Sequence, residues 1–88
     1  MSWDVRVAKQ AAKALDKLPK AVWPRIARAI DELEADPHQG DVLSLLGSEW
    51  KGCYRKRVRP YRVIFSLDHA ACTVTVLDVL RRSEKTYR

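Results

Sequence analysis

Chemistry is concentrated in the run Lys51-Gly52-Cys53-Tyr54-Arg55-Lys56-Arg57-Val58-Arg59-Pro60-Tyr61-Arg62. Six of these twelve residues are basic and none is acidic. Successive side chains of a β-strand point to opposite faces, so Arg55 and Arg57 share one face and Tyr54, Lys56 and Val58 the other. Arg62 opens the next candidate strand and joins Arg55 and Arg57 if the hairpin register brings it across. Three guanidiniums on one sheet face repel each other, and an anion must offset that repulsion. Phosphate fits, because arginine presents planar paired donors that match its oxygens. A second basic group, Arg81, Arg82, Lys85 and Arg88, surrounds Tyr87 after the last candidate strand. Cations for a backbone beside a ring that stacks on a base are the footprint of nucleic-acid binding. A solvated face is the other reading of such a run. Its position inside a strand pair, not in a tail, favours a site.

Other chemistries lack their residues. His38 lies just past a helix end and His69 in a turn, where both are expected to be solvent-exposed without a role. Cys53 and Cys72 read as small sheet-packing residues, without CxxC spacing. Two histidines and two cysteines without finger spacing make no metal constellation, and three glycines make no phosphate-binding loop. No metal and no cofactor are expected.

Length and charge set the frame. Eighty-eight residues correspond to one domain, 1–88. A hydrophobic share of 47% with 32% charged residues suits a folded globule and not a disordered tail. Of the formal charge of +6, none arises in residues 1–50, where seven basic side chains meet eight acidic ones. Residues 51–88 hold ten basic and three acidic, so the surplus is local and marks an anion-binding surface. No apolar run is long enough to span a membrane, and Met1-Ser2-Trp3-Asp4 does not begin a signal peptide. A cytoplasmic location with reduced thiols is the expectation.

The elements that must position the arginines follow from periodicity. Trp3, Val5 and Val7 alternate with Asp4 and Arg6, a short half-buried strand. Ala8, Ala11, Ala12, Leu15 and Leu18 predict a helix over 8–18, ended by Pro19. Val22, Ile26, Ala29, Ile30 and Leu33 are the stripe of a second helix, starting near Pro19 or Lys20 and stopping before Asp36-Pro37. Residues 37–49 form a mixed connection, anchored to the core by Leu43, Leu45 and Leu46. Strands are predicted over 50–58, 61–67 and 72–80, with turns at Arg59-Pro60 and residues 68–71. The fold class is α+β: a small antiparallel sheet with an N-terminal strand and a two-helix hairpin packed on one face.

This order of elements resembles the RelE/ParE family of bacterial toxins. So do Ala12-Lys13-Ala14-Leu15-Asp16-Lys17-Leu18-Pro19, the sheet segment from Tyr54 to Phe65, and the end from Val79 to Arg88. The most specific part is the basic-x-basic-Val pattern followed by Tyr61-Arg62-Val63-Ile64-Phe65. The resemblance implies a toxin of a type II toxin–antitoxin system. Its RelE branch consists of messenger-RNA endonucleases that cut in the decoding site of the small ribosomal subunit and are neutralised by a cognate antitoxin. It further implies catalytic roles for Arg55, Arg57, Arg62, Arg81 or Arg82, and Tyr87. Lys51, Lys56, Arg59, Lys85 and Arg88 are then expected to contact RNA or ribosome, and Trp23 and Ile26 to dock the antitoxin.

The reaction is intelligible from these residue types. The ribose 2′-hydroxyl attacks the adjacent phosphorus, and preplaced guanidiniums stabilise the charge that develops on the non-bridging oxygens. The products are a 2′,3′-cyclic phosphate, or its opened form, and a 5′-hydroxyl. Arginine is a poor general base, which leaves Tyr87 as base or as a stacking platform. Two other functions fit the same resemblance or charge: a ParE-like, non-enzymatic inhibitor of DNA gyrase, and a basic RNA-binding module. Many relatives place glycine where this chain has Arg59-Pro60, so the register between Arg57 and Arg62 is the feature to establish.

Overall fold

The computed structural model describes residues 2–45 and 52–81. Strand β1 is Asp4–Val7 and leads directly into helix α1, Lys9–Asp16. Only Trp3 and Val5 of the predicted inward set reach the core, whereas Val7 is exposed. Ala11 and Leu15 form the buried stripe of α1, which ends ahead of Pro19 as expected. Helix α2 is Trp23–Ala35, three to four residues shorter at its start than the stripe suggested. The cause is Pro24, which lacks an N–H and is tolerated only in the first turn. At the other end Asp36 is extended, as the residue before Pro37 prefers.

The rest of the described chain is sheet. The connection after α2 contains a strand the periodicity did not reveal, β2, Val42–Ser44. It is followed by β3 (Cys53–Val58), β4 (Tyr61–Asp68) and β5 (Thr73–Arg81). The strand order is β1-β5-β4-β3-β2. Neighbours from β2 to β5 are antiparallel, and β1 adds to the β5 edge in parallel. Leu45 is buried as an anchor of the connection, but Leu43 is 57% exposed and anchors nothing. Leu46 lies outside the described residues.

Both helices lie on one face. Phe65, Val63, Val74 and Val76 meet Ile26, Leu33, Ala11 and Leu15 in the main core. Ile64 pairs with Asp78 and Phe65 with Val76, so Leu77 is an extra residue in β5. This bulge shifts the alternation by one. Val74, Val76 and Val79 therefore face the helices, while Leu77 and Leu80 join Leu45, Ile64 and Cys53 on the other side. Asp78, buried beside the bulge, accepts hydrogen bonds from Gln10 Nε2 at 2.7 Å and from the Val79 N–H at 2.9 Å. No helix among the described residues is long and apolar enough to cross a membrane.

Lys56 belongs to this helix-covered layer. Its side chain is only 4% exposed, and Nζ donates to Glu32 Oε1 of α2 at 2.6 Å and to the Ala29 carbonyl at 3.4 Å. The expectation that Lys56 contacts RNA or the ribosome is therefore corrected. Its ammonium is consumed inside the fold as a strut between β3 and α2.

Two stability predictions follow from this layering. Phe65→Ala should cost about 3–5 kcal/mol in urea unfolding, whereas Leu43→Ala should change stability by no more than about 0.5 kcal/mol. Equal costs would contradict the assignment of core and edge. Glu32→Ala strands a buried ammonium and should cost about 1–3 kcal/mol, discounted because Glu32 is partly exposed. Lys56→Met removes that charge and should cost less than Glu32→Ala in the same assay. The reverse order would show that Lys56 is not held as a buried ion.

Candidate functional site

The sheet face turned away from the helices carries the arginines. The β3–β4 ladder runs without a slip to its turn, Val58 opposite Tyr61, and Arg59 and Pro60 are joined by a cis peptide bond. That register sets Arg57 directly opposite Arg62 and Arg55 opposite Ile64. On its outer side Arg55 is paired with Leu43 of β2. Arg62 is paired on its other side with Leu80 of β5. Arg55, Arg57 and Arg62 therefore share one face, beside the apolar patch of Leu45, Ile64 and Leu80. Arg55 is buried, while Arg57 and Arg62 are half-buried.

Among the described residues one acid, Asp41, reaches this face. Asp41 precedes β2, and its carbonyl accepts the Arg57 N–H at 2.9 Å. Its carboxylate divides between two guanidiniums, with Oδ1 3.4 Å from Arg55 Nη1 and Oδ2 3.6 Å from Arg57 Nε. Arg62 has no acidic partner among the described residues. Like charges directly opposite on neighbouring strands are destabilising, and among the described residues one carboxylate stands against three guanidiniums. The face holds uncompensated positive charge and can bind an anion with several acceptor oxygens.

The other expected site residues are distributed differently. Arg81 ends β5 opposite Tyr61, a residue of the helix-side core. The register thus sets Arg81 on the helix side of the sheet, not in the trio. Arg59 is exposed in the turn, where its carbonyl accepts a hydrogen bond from Arg25 Nη2. Arg25, Arg28 and Arg59 border a groove of about 640 Å³ between α2 and β3, whose rim also carries Arg57 and Asp41. Lys51, Arg82, Lys85, Tyr87 and Arg88 lie outside the described residues. Trp23 is 38% exposed, as a docking residue requires. Ile26 is fully buried in the core between α2 and the sheet. Its assignment to an antitoxin-docking strip is therefore corrected: the stripe that makes α2 amphipathic is the side it buries.

Asp41 was not singled out by sequence reasoning. The signal lay in its position, an acid at the start of a strand that pairs with the basic run, and became readable only with β2 in place. The histidines are exposed but not isolated. The His38 and His69 rings stack at 6.4 Å, and each meets an aromatic edge-on at 5.5 Å, Tyr54 and Trp3 respectively. Burial pushes the Cys53 thiol up from its ordinary value, away from the thiolate. Among the described residues no group of three His, Cys, Asp or Glu side chains could hold a metal ion.

Comparison with known proteins agrees with this architecture. The family profile described as the ParE toxin of type II toxin–antitoxin systems matches residues 5–86. The toxin in the archaeal RelE–RelB complex from Pyrococcus horikoshii is 34% identical, with a TM-score of 0.79, covering 97% of this chain and 100% of that one. The RelBE2 toxin–antitoxin complex from Mycobacterium tuberculosis matches at 24% identity and a TM-score of 0.82, over 93% of this chain and 100% of that one. The intact Escherichia coli RelBE complex gives 19% identity and a TM-score of 0.75, over 96% and 100% respectively. These last two establish likeness of fold. No curated protein matches the chain. The profile spans nearly the whole sequence and the fold is that of the RelE toxins, so the chain belongs to the RelE/ParE family of type II toxin–antitoxin toxins.

Proposed function

We propose that the chain is a ribosome-dependent messenger-RNA endonuclease, neutralised by a cognate antitoxin. The observation that supports this most is the pairing of Arg57 with Arg62 on the face that also carries Arg55. Two half-buried guanidiniums opposite each other can straddle one phosphodiester. Their charge acts most strongly on the transition state, when attack by the 2′-hydroxyl loads the non-bridging oxygens with negative charge. Partial burial strengthens this interaction over its value in water. RNA supplies the nucleophile, so the protein must hold the sugar and phosphate in line, a task the ribosome shares.

The proton is a separate matter. Arginine does not give up its proton near neutral pH, and Lys56 is committed to Glu32 on the other side of the sheet. Tyr87 is the residue assigned to proton transfer or base stacking; with Arg81 turned to the helix side, Arg82 is the arginine after β5 that would lie beside the reacting groups. The three solved relatives named above are toxin–antitoxin complexes, which is the ground for a cognate antitoxin partner here. Trp23 remains the exposed apolar residue on α2 for that contact.

A second reading is favoured by the family profile itself, which is described for ParE toxins. In that reading the chain inhibits DNA gyrase without cleaving anything. Primer extension on messages from cells expressing the chain separates the two. Cuts positioned by codons in translated regions are expected. Arg57→Ala and Arg62→Ala should each lower the cleavage rate by about 10²–10³-fold while leaving the thermal unfolding transition in place. Intact messages together with loss of gyrase supercoiling activity would overturn the endonuclease reading and establish the other.

A further inference from the structure

Asp41 holds two of the three arginines as a bound phosphate would. One oxygen of its carboxylate faces Arg55 and the other Arg57, at 3.4 and 3.6 Å. A phosphodiester offers its two non-bridging oxygens in the same way. The backbone places the acid there firmly, since the Asp41 carbonyl receives the Arg57 N–H. The side-chain contacts themselves are long and open to water: the Asp41 side chain is 51% exposed and that of Arg57 34%. Exposed ion pairs of this kind contribute little, and such a pair yields to a stronger anion. Arg55 differs, with its side chain 11% exposed and, among the described residues, one side-chain hydrogen bond, made to Asp41.

We infer that Asp41 is a built-in competitor for the phosphate site. It occupies donors of Arg55 and Arg57 in the free protein and gives way to RNA when a phosphodiester enters. This rests on the reading of the arginine face as an RNA-phosphate site. Its effect is to damp binding to RNA in general. Affinity that depends only on counting phosphates is reduced, while RNA held in line by additional contacts still displaces the carboxylate. The alternative is that Asp41 serves only to fix Arg55 in place.

The two differ in a salt titration. Binding of a short, 2′-O-methylated single-stranded RNA, which cannot be cleaved, is measured for the wild type, Asp41→Asn, Arg57→Ala and the double variant. Asp41→Asn should bind about two- to tenfold more tightly. The slope of log affinity against log salt should steepen by about 0.7, the share of one more phosphate neutralised on a single strand. In the Arg57→Ala background the gain from Asp41→Asn should shrink, leaving only the share that comes from freeing Arg55. Asp41→Ser must show the same two signs, which keeps the test intact if the amide variant folds poorly. Equal or weaker binding by both Asp41 variants at an unchanged slope, with Arg57→Ala still weakening binding, overturns the competitor role and leaves the RNA reading standing. If Arg57→Ala binds RNA as the wild type does, or no protein binds it, the RNA reading falls and the inference with it.

Discussion

Across the β3–β4 hairpin two guanidiniums face each other, Arg57 and Arg62, in a pairing that repels. The remainder of the structure is arranged so that this pairing persists. The ladder runs without a slip from Cys53 opposite Ser66 to Val58 opposite Tyr61. A slip of one residue would turn each β3 side chain to the opposite face and bury the arginines under the helices. What prevents the slip is the opposite side of the same strands. Tyr54 and Val58 of β3 pack with Tyr61, Val63 and Phe65 of β4 under the helices, so repulsion on one face is overcome by apolar burial on the other.

Electrostatic accommodation takes two forms. On the helix side the buried Lys56 ammonium is neutralised by the partly exposed Glu32, and its charge is spent on architecture. On the arginine side Asp41 reaches over from the edge strand and compensates only part of the charge. Strand alternation thus divides the basic residues of β3, β4 and the turn between them. One part stabilises the fold, one part waits for an anion, and Arg59 lies exposed at the turn between them. The bulge at Leu77 completes the frame by setting which residue of β5 borders Arg62.

Much of this was legible in the sequence where the signal is local. The inward Trp3 and Val5, the stripe of Val22, Ile26, Ala29 and Leu33, and the stop before Pro37 depend on near neighbours. So does the sharing of one face by Arg55 and Arg57. Strand β2 was not legible, because three residues with Leu43 outward carry no pattern of their own and are specified by pairing with β3. Lys56 looked like a free cation because its partner lies 24 residues away. Ile26 looked like a docking residue because a helical stripe does not say which of two partners it meets. The side taken by Arg81 depends on the bulge, which an unbroken apolar strand conceals.

The proposed function requires that Arg57 and Arg62 grip the same phosphate. Its most direct test is an NMR titration that follows the arginine side-chain Nε–Hε signals as a non-cleavable single-stranded RNA is added. The expected result is that the Arg57 and Arg62 signals shift together, with one binding constant, while the signal of Arg6 on the distant β1 edge stays in place. Shifts confined to Arg25, Arg28 and Arg59, with Arg57 and Arg62 unmoved, would contradict the claim.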